Sequence, residues 1–124
     1  MEHKILIVED SATMRQLLRF ALQRLGKVEI LEAANGVEGL KILRQERVDL
    51  ALVDINMPVM DGLKMTQMIR QDPHLANLPI IIITTEGKEE MREKARELGI
   101  EHYVTKPINQ SQVVNTVRGI LQIK

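Results

Sequence analysis

The sequence predicts an α/β protein with a doubly wound, five-stranded parallel sheet, and three observations support this class. Short apolar runs alternate with longer amphipathic stretches five times along the 124 residues. The apolar runs are continuous, as in strands that helices cover on both faces. Each strand–helix unit is about 20–30 residues long, which leaves room for the crossover connections that parallel strands need.

Apolar runs locate the strands. Residues 5–8 read ILIV, and residues 80–83 are four consecutive Ile residues, the strongest β-branched signal in the chain. Residues 28–33 mix apolar and acidic positions, which predicts a strand at the edge of the sheet. The predicted strands are residues 5–8, 28–33, 50–53, 80–83 and 103–105.

Apolar residues at three- and four-residue spacing predict the helices. Either Ser11 or Thr13 is the predicted N-cap of the first helix. Gly26 marks the end of this helix, because glycine adopts left-handed backbone at little cost. Its predicted apolar face is Met14, Leu17, Leu18, Ala21, Leu22 and Leu25. Asn35-Gly36 is typical of a hairpin, but no strand alternation follows, so we predict a turn into a second helix. The predicted helices cover residues 14–25, 37–43, 63–71, 88–98 and 113–121.

The composition fits one domain over residues 1–124 and excludes several classes of function. Seventeen Lys and Arg residues balance 17 Asp and Glu residues, and the pI is near 6.8, which argues against a general nucleic-acid binder. The chain has no Cys, so disulfides, thiolate catalysis and Cys-type zinc sites are excluded. Phe20 and Tyr103 are its two aromatic residues, too few for a base-stacking platform.

No stretch of about 20 apolar residues occurs that could cross a membrane, and the first residues lack the apolar core of a signal peptide. We therefore expect a cytoplasmic protein that binds neither a membrane nor nucleic acid directly. We expect it to be a monomer or a weak dimer.

Polar side chains follow four of the five predicted strands. Ligands of open α/β sheets bind beyond the carboxyl ends of the strands, so these residues are candidates for one shared site. Each residue alone is explained by an ordinary role, such as a helix cap, a turn or a surface charge, and their coincidence favours the shared site. They are Glu9 and Asp10 after strand 1, Asp54 after strand 3, Thr84 and Thr85 after strand 4, and Lys106 after strand 5.

Three neighbouring carboxylates repel one another, and each raises the pKa of the others. Lys106 supplies one compensating charge. A hard divalent cation such as Mg²⁺ would supply two, and it prefers oxygen ligands. A carboxylate can also attack phosphorus to give an aspartyl phosphate, a transfer that gains mainly from positioning and charge neutralisation.

Four segments carry a resemblance to a known family: ILIVEDSATMRQLL, LVDINMPVMDG, IIIITTEG and HYVTKP. In this order and spacing, the chain resembles the receiver domain of bacterial two-component response regulators over essentially its whole length. It is most similar to their single-domain, chemotaxis-type members. The resemblance implies the strand order 2-1-3-4-5. It also implies a phosphorylation-dependent signalling switch that catalyses its own phosphorylation and dephosphorylation without turning over an external substrate.

The resemblance implies a phosphoacceptor and a metal site. Asp54 is similar to the family's phosphoacceptor, and Asp10 to its direct Mg²⁺ ligand, with Mn²⁺ as a substitute. Glu9 would act through a water molecule, although many relatives have Asp there. The backbone carbonyl of Asn56 would complete the protein ligands, and the Asn56 side chain is at a position that tunes dephosphorylation.

The remaining implied roles concern the response to phosphorylation. Lys106 would pair with the phosphoryl oxygens, and the Thr84 hydroxyl would turn toward them. Tyr103 would then change rotamer and alter the surface formed by helix 4, strand 5 and helix 5. Pro107 matches a position preceded by a cis peptide bond, and Glu86 matches a second position that tunes dephosphorylation.

The implied partners are a sensor histidine kinase or phosphotransfer protein as donor and a downstream protein as target. Three alternatives remain open at this point. An aspartyl-nucleophile phosphatase needs a second Asp two residues after the first, where Asn56 cannot shuttle a proton. A flavin carrier needs a Gly- and hydroxyl-rich loop where Glu9 and Asp10 stand. The third alternative is a receiver-like module that takes no phosphate, although all key residues are present.

Overall fold

The computed structural model describes residues 2–85 and 89–123, in which five strands alternate with five α-helices. The strands are β1 (His3–Val8), β2 (Val28–Ala33), β3 (Leu50–Asp54), β4 (Ile80–Thr84) and β5 (His102–Thr105). The helices are α1 (Ala12–Leu22), α2 (Gly36–Gln45), α3 (Gly62–Gln71), α4 (Glu89–Glu97) and α5 (Gln110–Leu121). Among these residues, no helix combines the length and apolar character needed to span a bilayer.

All paired strands are parallel, and their order is β2-β1-β3-β4-β5. The predicted fold class, strand order and edge position of β2 are therefore confirmed. In this order β1 and β3 lie side by side while their connections leave on opposite faces, which opens a crevice at their carboxyl ends.

Two apolar layers enclose the sheet, and β1 shows how the sequence builds both. Ile5 and Ile7 belong to the layer under α1 and α5, whereas Leu6 and Val8 belong to the layer under α2, α3 and α4. All four side chains are fully buried, because successive residues of a strand point to opposite faces. A continuous apolar run is what a strand with two covered faces requires.

Four helices begin with a side-chain N-cap that follows a strand. Each capping oxygen accepts a hydrogen bond from a backbone N–H three residues later, which satisfies a donor that the helix leaves open. These caps place the helix N-termini at the carboxyl edge of the sheet. The capping residues are Ser11 for α1, Asn35 for α2, Asp61 for α3 and Asn109 for α5.

The first helix differs from its prediction in two ways. Its α-helical part ends at Leu22, and the last turn tightens into a 3₁₀ helix before Gly26, whose φ is 89°. Leu17 was predicted in the apolar face but is 46% exposed, and Phe20 is 65% exposed. Spacing alone could not show that the sheet covers only the narrower stripe of Leu18, Ala21 and Leu22.

Arg70 joins the end of α3 to the loop before β4 and to the residue that follows α4. Its Nε donates to the carbonyl of Leu98 at 2.7 Å, and its Nη1 donates to the carbonyls of Ala76 at 3.2 Å and Leu78 at 2.9 Å. Burial lowers the pKa of Arg70, but a guanidinium stays protonated at neutral pH. The fixed charge therefore compensates the Leu98 carbonyl just after the C-terminal end of α4. It also holds two carbonyls of the loop that precedes β4.

We expect Arg70→Ala to lower the free energy of unfolding by about 2–3 kcal/mol, because hydrogen bonds from a charged donor are lost and carbonyls lose their partner. Urea unfolding at neutral pH measures this change. Arg44→Ala removes the same charge from an exposed position on α2 and should cost less than about 0.5 kcal/mol. Equal losses in the two variants would contradict the role assigned to Arg70.

Candidate functional site

The polar residues predicted at the strand ends meet at the carboxyl edge of the sheet. Asp54 ends β3, Glu9 and Asp10 follow β1, Thr84 ends β4 and Lys106 follows β5. Asp54 is 4% exposed, Glu9 2% and Thr84 0%, whereas Asp10 is exposed. The structure therefore combines two buried carboxylates with one that faces solvent.

The Lys106 ammonium joins the two buried carboxylates. Its Nζ lies 2.7 Å from Glu9 Oε1 and 3.3 Å from Asp54 Oδ2. The second oxygen of Glu9 accepts a hydrogen bond from the Ser11 backbone N–H at 3.0 Å. Both oxygens of Glu9 therefore have a donor. We did not predict from the sequence that Lys106 would lie closer to Glu9 than to Asp54.

Asn56 connects Asp54 with Thr84. Its backbone N–H donates to Asp54 Oδ1 at 3.2 Å, and its side-chain amide donates to Thr84 Oγ1 at 3.4 Å. Each oxygen of Asp54 thus has a donor, because Lys106 contacts the other. The Asp54 carboxylate is fixed in orientation at the end of its strand.

Glu9, Asp10 and Asp54 form an acidic cluster that suits a divalent metal. Each offers a carboxylate oxygen, and these oxygens lie within 4.8 Å of one another. One ammonium cannot neutralise three carboxylates, so the site keeps an excess of negative charge. An all-oxygen donor set of this kind suits a hard cation, and the residues present therefore fit the metal that the sequence suggests.

The remaining predicted residues differ in exposure and backbone geometry. Thr85 is exposed, and Tyr103 is half-buried on β5. The Lys106–Pro107 peptide bond is cis, the geometry implied by the family resemblance. Glu86 lies outside the described residues.

Comparison with known proteins decides the family. The sequence model of one protein family, the response regulator receiver domain, matches residues 5–118. The chain belongs to this family. The receiver domain is 39% identical over 119 residues to the chemotaxis protein CheY1 of Helicobacter pylori, a match that covers 95% of this chain and 96% of that protein.

Solved structures agree with this assignment. The chemotaxis protein CheY4 of Vibrio cholerae has a TM-score of 0.89 and 31% identity, with 97% of this chain and 99% of that chain covered. The phosphorylated cyanobacterial phytochrome response regulator RcpA has a TM-score of 0.85 and 31% identity, with 98% and 93% of the two chains covered. The family prediction is confirmed.

Family membership determines the general function of this receiver domain. Receiver domains of response regulators act in phosphorylation-dependent signalling and interact with a histidine kinase or phosphotransfer partner. They differ from classical enzymes, which turn over an external substrate. The acidic cluster at the strand ends is compatible with an aspartyl phosphate and with Mg²⁺.

The charges of the receiver site shift two pKa values upward. Burial lowers the pKa of Lys106, but hydrogen bonds and charges from Glu9 and Asp54 outweigh it, so the pKa is raised and the ammonium stays protonated. The pKa of Asp10 is raised mainly by the hydrogen-bonding proximity of the Glu9 carboxylate, then by desolvation and by the Glu9 charge. Folding therefore makes ionisation of Asp10 less favourable than it is in the unfolded chain, and a cation bound nearby would offset this.

Gly62 allows α3 to begin directly against the end of β3. Its backbone N–H donates to the Ile55 carbonyl at 3.0 Å, and a Cβ at this position would lie 2.3 Å from the Asp54 carbonyl oxygen. We did not predict this close approach from the sequence. A glycine directly after a capping Asp was the available signal, because close backbone approach is a common reason for glycine.

We expect Asp10→Asn to raise the stability of the metal-free receiver domain at pH 7. A carboxyl group whose pKa is raised by folding destabilises the native state as the pH increases through its unfolded and folded pKa values. The gain should stay below about 1 kcal/mol, because solvent screens an exposed carboxylate. It should disappear below about pH 4, where the unfolded carboxyl is protonated too.

Urea unfolding in EDTA at several pH values measures this difference. Glu90→Gln, which removes an exposed charge from α4, is the control and should show no such pH dependence. A destabilised Asp10→Asn protein at pH 7 would contradict the prediction.

We expect Gly62→Ala to lower the free energy of unfolding by about 2–3 kcal/mol, because the new methyl group overlaps backbone and forces a shift. Gly119→Ala is the matched control: its Cβ meets nothing within 4 Å, so the helix should gain about 0.5–1 kcal/mol. Thermal or urea unfolding distinguishes the two. A neutral Gly62→Ala substitution would disprove the close contact with Asp54.

Proposed function

We propose that this receiver domain, over residues 1–124, is a signalling switch in which Asp54 accepts a phosphoryl group from a histidine of a sensor kinase or phosphotransfer protein. The observation that supports this assignment is the setting of Asp54. Its carboxylate lies at a strand end, oriented by the Asn56 N–H and the Lys106 ammonium, beside two further carboxylates. Family membership supports the same general role.

In the proposed transfer, an Asp54 oxygen forms a bond to phosphorus while the nitrogen–phosphorus bond of the donor phosphohistidine breaks. The imidazole nitrogen keeps the electron pair and takes up a proton. Lys106 is 3.3 Å from Asp54 and can pair with the phosphoryl oxygens, which stabilises the charge spread over them.

Asp10, Asp54 and the Asn56 backbone carbonyl would hold Mg²⁺, with Glu9 contributing through water. The bound ion would supply the positive charge that one lysine cannot, and Mn²⁺ would serve in its place. The oxygen-only cluster supports this assignment. The pKa of Asp10 is raised by its hydrogen-bonding contact with Glu9, then by burial and by the Glu9 charge, and a bound cation would favour the ionised form.

Thr84 and Tyr103 would couple phosphorylation of Asp54 to a change at the protein surface. The Thr84 hydroxyl lies beside Asn56 and can turn toward the phosphoryl group. Tyr103 pairs in register with Ile82, two residues before Thr84 on β4, so both side chains lie on one sheet face. A change of Tyr103 rotamer would alter the α4–β5–α5 surface that binds the downstream protein.

Two relatives favour this cycle. The structure of RcpA is that of a phosphorylated response regulator, and CheY1 of Helicobacter pylori is a chemotaxis protein. We infer a similar phosphorylated state here, with hydrolysis tuned by Asn56 and Glu86. We place the protein in the cytoplasm as a monomer or weak dimer that contacts other proteins.

We expect the wild-type protein to gain the mass of one phosphoryl group when incubated with a small-molecule phosphodonor and Mg²⁺, because Asp54 is oriented for attack. Intact-mass spectrometry measures the gain, which EDTA should abolish and Mn²⁺ should restore. Asp54→Asn should gain nothing.

Asp61→Asn is the matched control, because it removes a carboxylate from the loop that follows Asp54 and keeps a good N-cap. It should be phosphorylated like the wild type. The assignment of Asp54 fails if Asp54→Asn is modified as fully as the wild type, or if the wild type is not modified at all.

A further inference from the structure

One arginine on α4 covers the only tyrosine of the chain. The Arg92 guanidinium carbon lies 4.6 Å from the centroid of the Tyr103 ring, within the range of a cation–π contact. Its Nη2 also donates to Thr105 Oγ1 at 3.4 Å. One planar group therefore contacts two side chains of β5, and we refer to these contacts as the Arg92–Tyr103 stack.

The stack lies on the sheet face that includes Thr84. Tyr103 and Thr105 are two residues apart on β5, so they point to the same face. Thr105 pairs in register with Thr84 of the neighbouring strand β4. Arg92 thus connects α4 to the two β5 side chains that are nearest to Thr84 on that face.

The packing of α4 on the core positions Arg92 for this contact. Met91, Ala95 and Leu98 turn toward the core under α4, and Ala95 is 2% exposed. Arg92 is half-buried beside this apolar stripe and, with Tyr103, lines a cavity of about 400 Å³ between α4 and β5. The apolar contacts fix the position of the helix, and the guanidinium then covers the ring.

We propose that Arg92 is a positioning residue that holds Tyr103 in the conformation seen here and so sets how readily the tyrosine moves. An exposed cation–π contact favours the conformer that contains it by about two- to fivefold. Arg suits this role better than Lys because its planar guanidinium stacks on a ring and donates to Thr105 at the same time.

The stack also affects signalling, and this part rests on the proposed function. If phosphorylation moves Tyr103 away from its present position, the Arg92–Tyr103 stack must break. Loss of Arg92 should then ease the transition, because the resting conformer loses an interaction that the activated one does not make. A group on α4 would in this way adjust the response of the phosphorylation site.

The chain offers a clean probe, because Tyr103 is its single tyrosine. Protein containing 3-fluorotyrosine gives one ¹⁹F resonance, whose solvent isotope shift reports exposure of the ring. The measurement uses an Asp54→Asn background without phosphodonor, so it does not depend on phosphorylation. We expect Arg92→Ala to move the resonance toward a more exposed ring, and Arg92→Lys and Thr105→Val to have smaller effects.

Lys94→Ala is the matched control, because it removes a positive charge from an exposed position on α4, and Lys94 does not line the cavity that contains Tyr103. It should leave the resonance at the wild-type position. The role of Arg92 is disproved if Arg92→Ala leaves the resonance unchanged, or if Lys94→Ala moves it equally, since the effect would then be the general charge of the helix. Circular dichroism verifies that all variants are folded.

A titration with beryllofluoride, a phosphoryl mimic, tests the connection to the switch in proteins that keep Asp54. Arg92→Ala should reach half-saturation at a concentration about two- to fivefold lower than the wild type. An unchanged midpoint would overturn the connection. If neither protein binds beryllofluoride, the proposed function fails, while the ¹⁹F comparison still decides the role of Arg92.

Discussion

The site depends on one ammonium group between two buried carboxylates. Burying a carboxylate costs free energy unless a partner compensates it, and Lys106 contacts both Glu9 and Asp54. These residues come from the ends of β1, β3 and β5, which are far apart in sequence. The requirement to pair buried charges therefore ties three strand ends together.

The same arrangement leaves the site short of positive charge. Asp10 stands next to Glu9 and its pKa is raised. The ionised Asp10 therefore lowers the stability of the folded protein, and a bound cation would offset this loss. Asn56 continues the polar contacts to Thr84 through its amide. Asn56 is thus the group through which Asp54 and Thr84 are connected.

Beyond Thr84 the contacts continue through β5 to α4, including the hydrogen bond from Arg92 to Thr105. Thr84 and Thr105 are neighbours in the β4–β5 register, and Tyr103 and Arg92 lie on the same face. This side of the sheet joins the polar site to α4 within a few side chains. On the opposite face, α1 and α5 pack on the other apolar layer.

The sequence alone determined the elements, the parallel sheet and the list of polar strand ends, because apolar periodicity and turn chemistry are local properties. Asp54, Asp10, Thr84 and Lys106 could be named as candidates since parallel strands end at a common edge. Only the tertiary structure decided which groups touch. It shows that Lys106 lies closer to Glu9 than to Asp54 and that Gly62 must lack a side chain. It also shows that Leu17 faces solvent and that Arg92 covers Tyr103. Each of these depends on distances between segments remote in sequence, which packing sets and local patterns do not record.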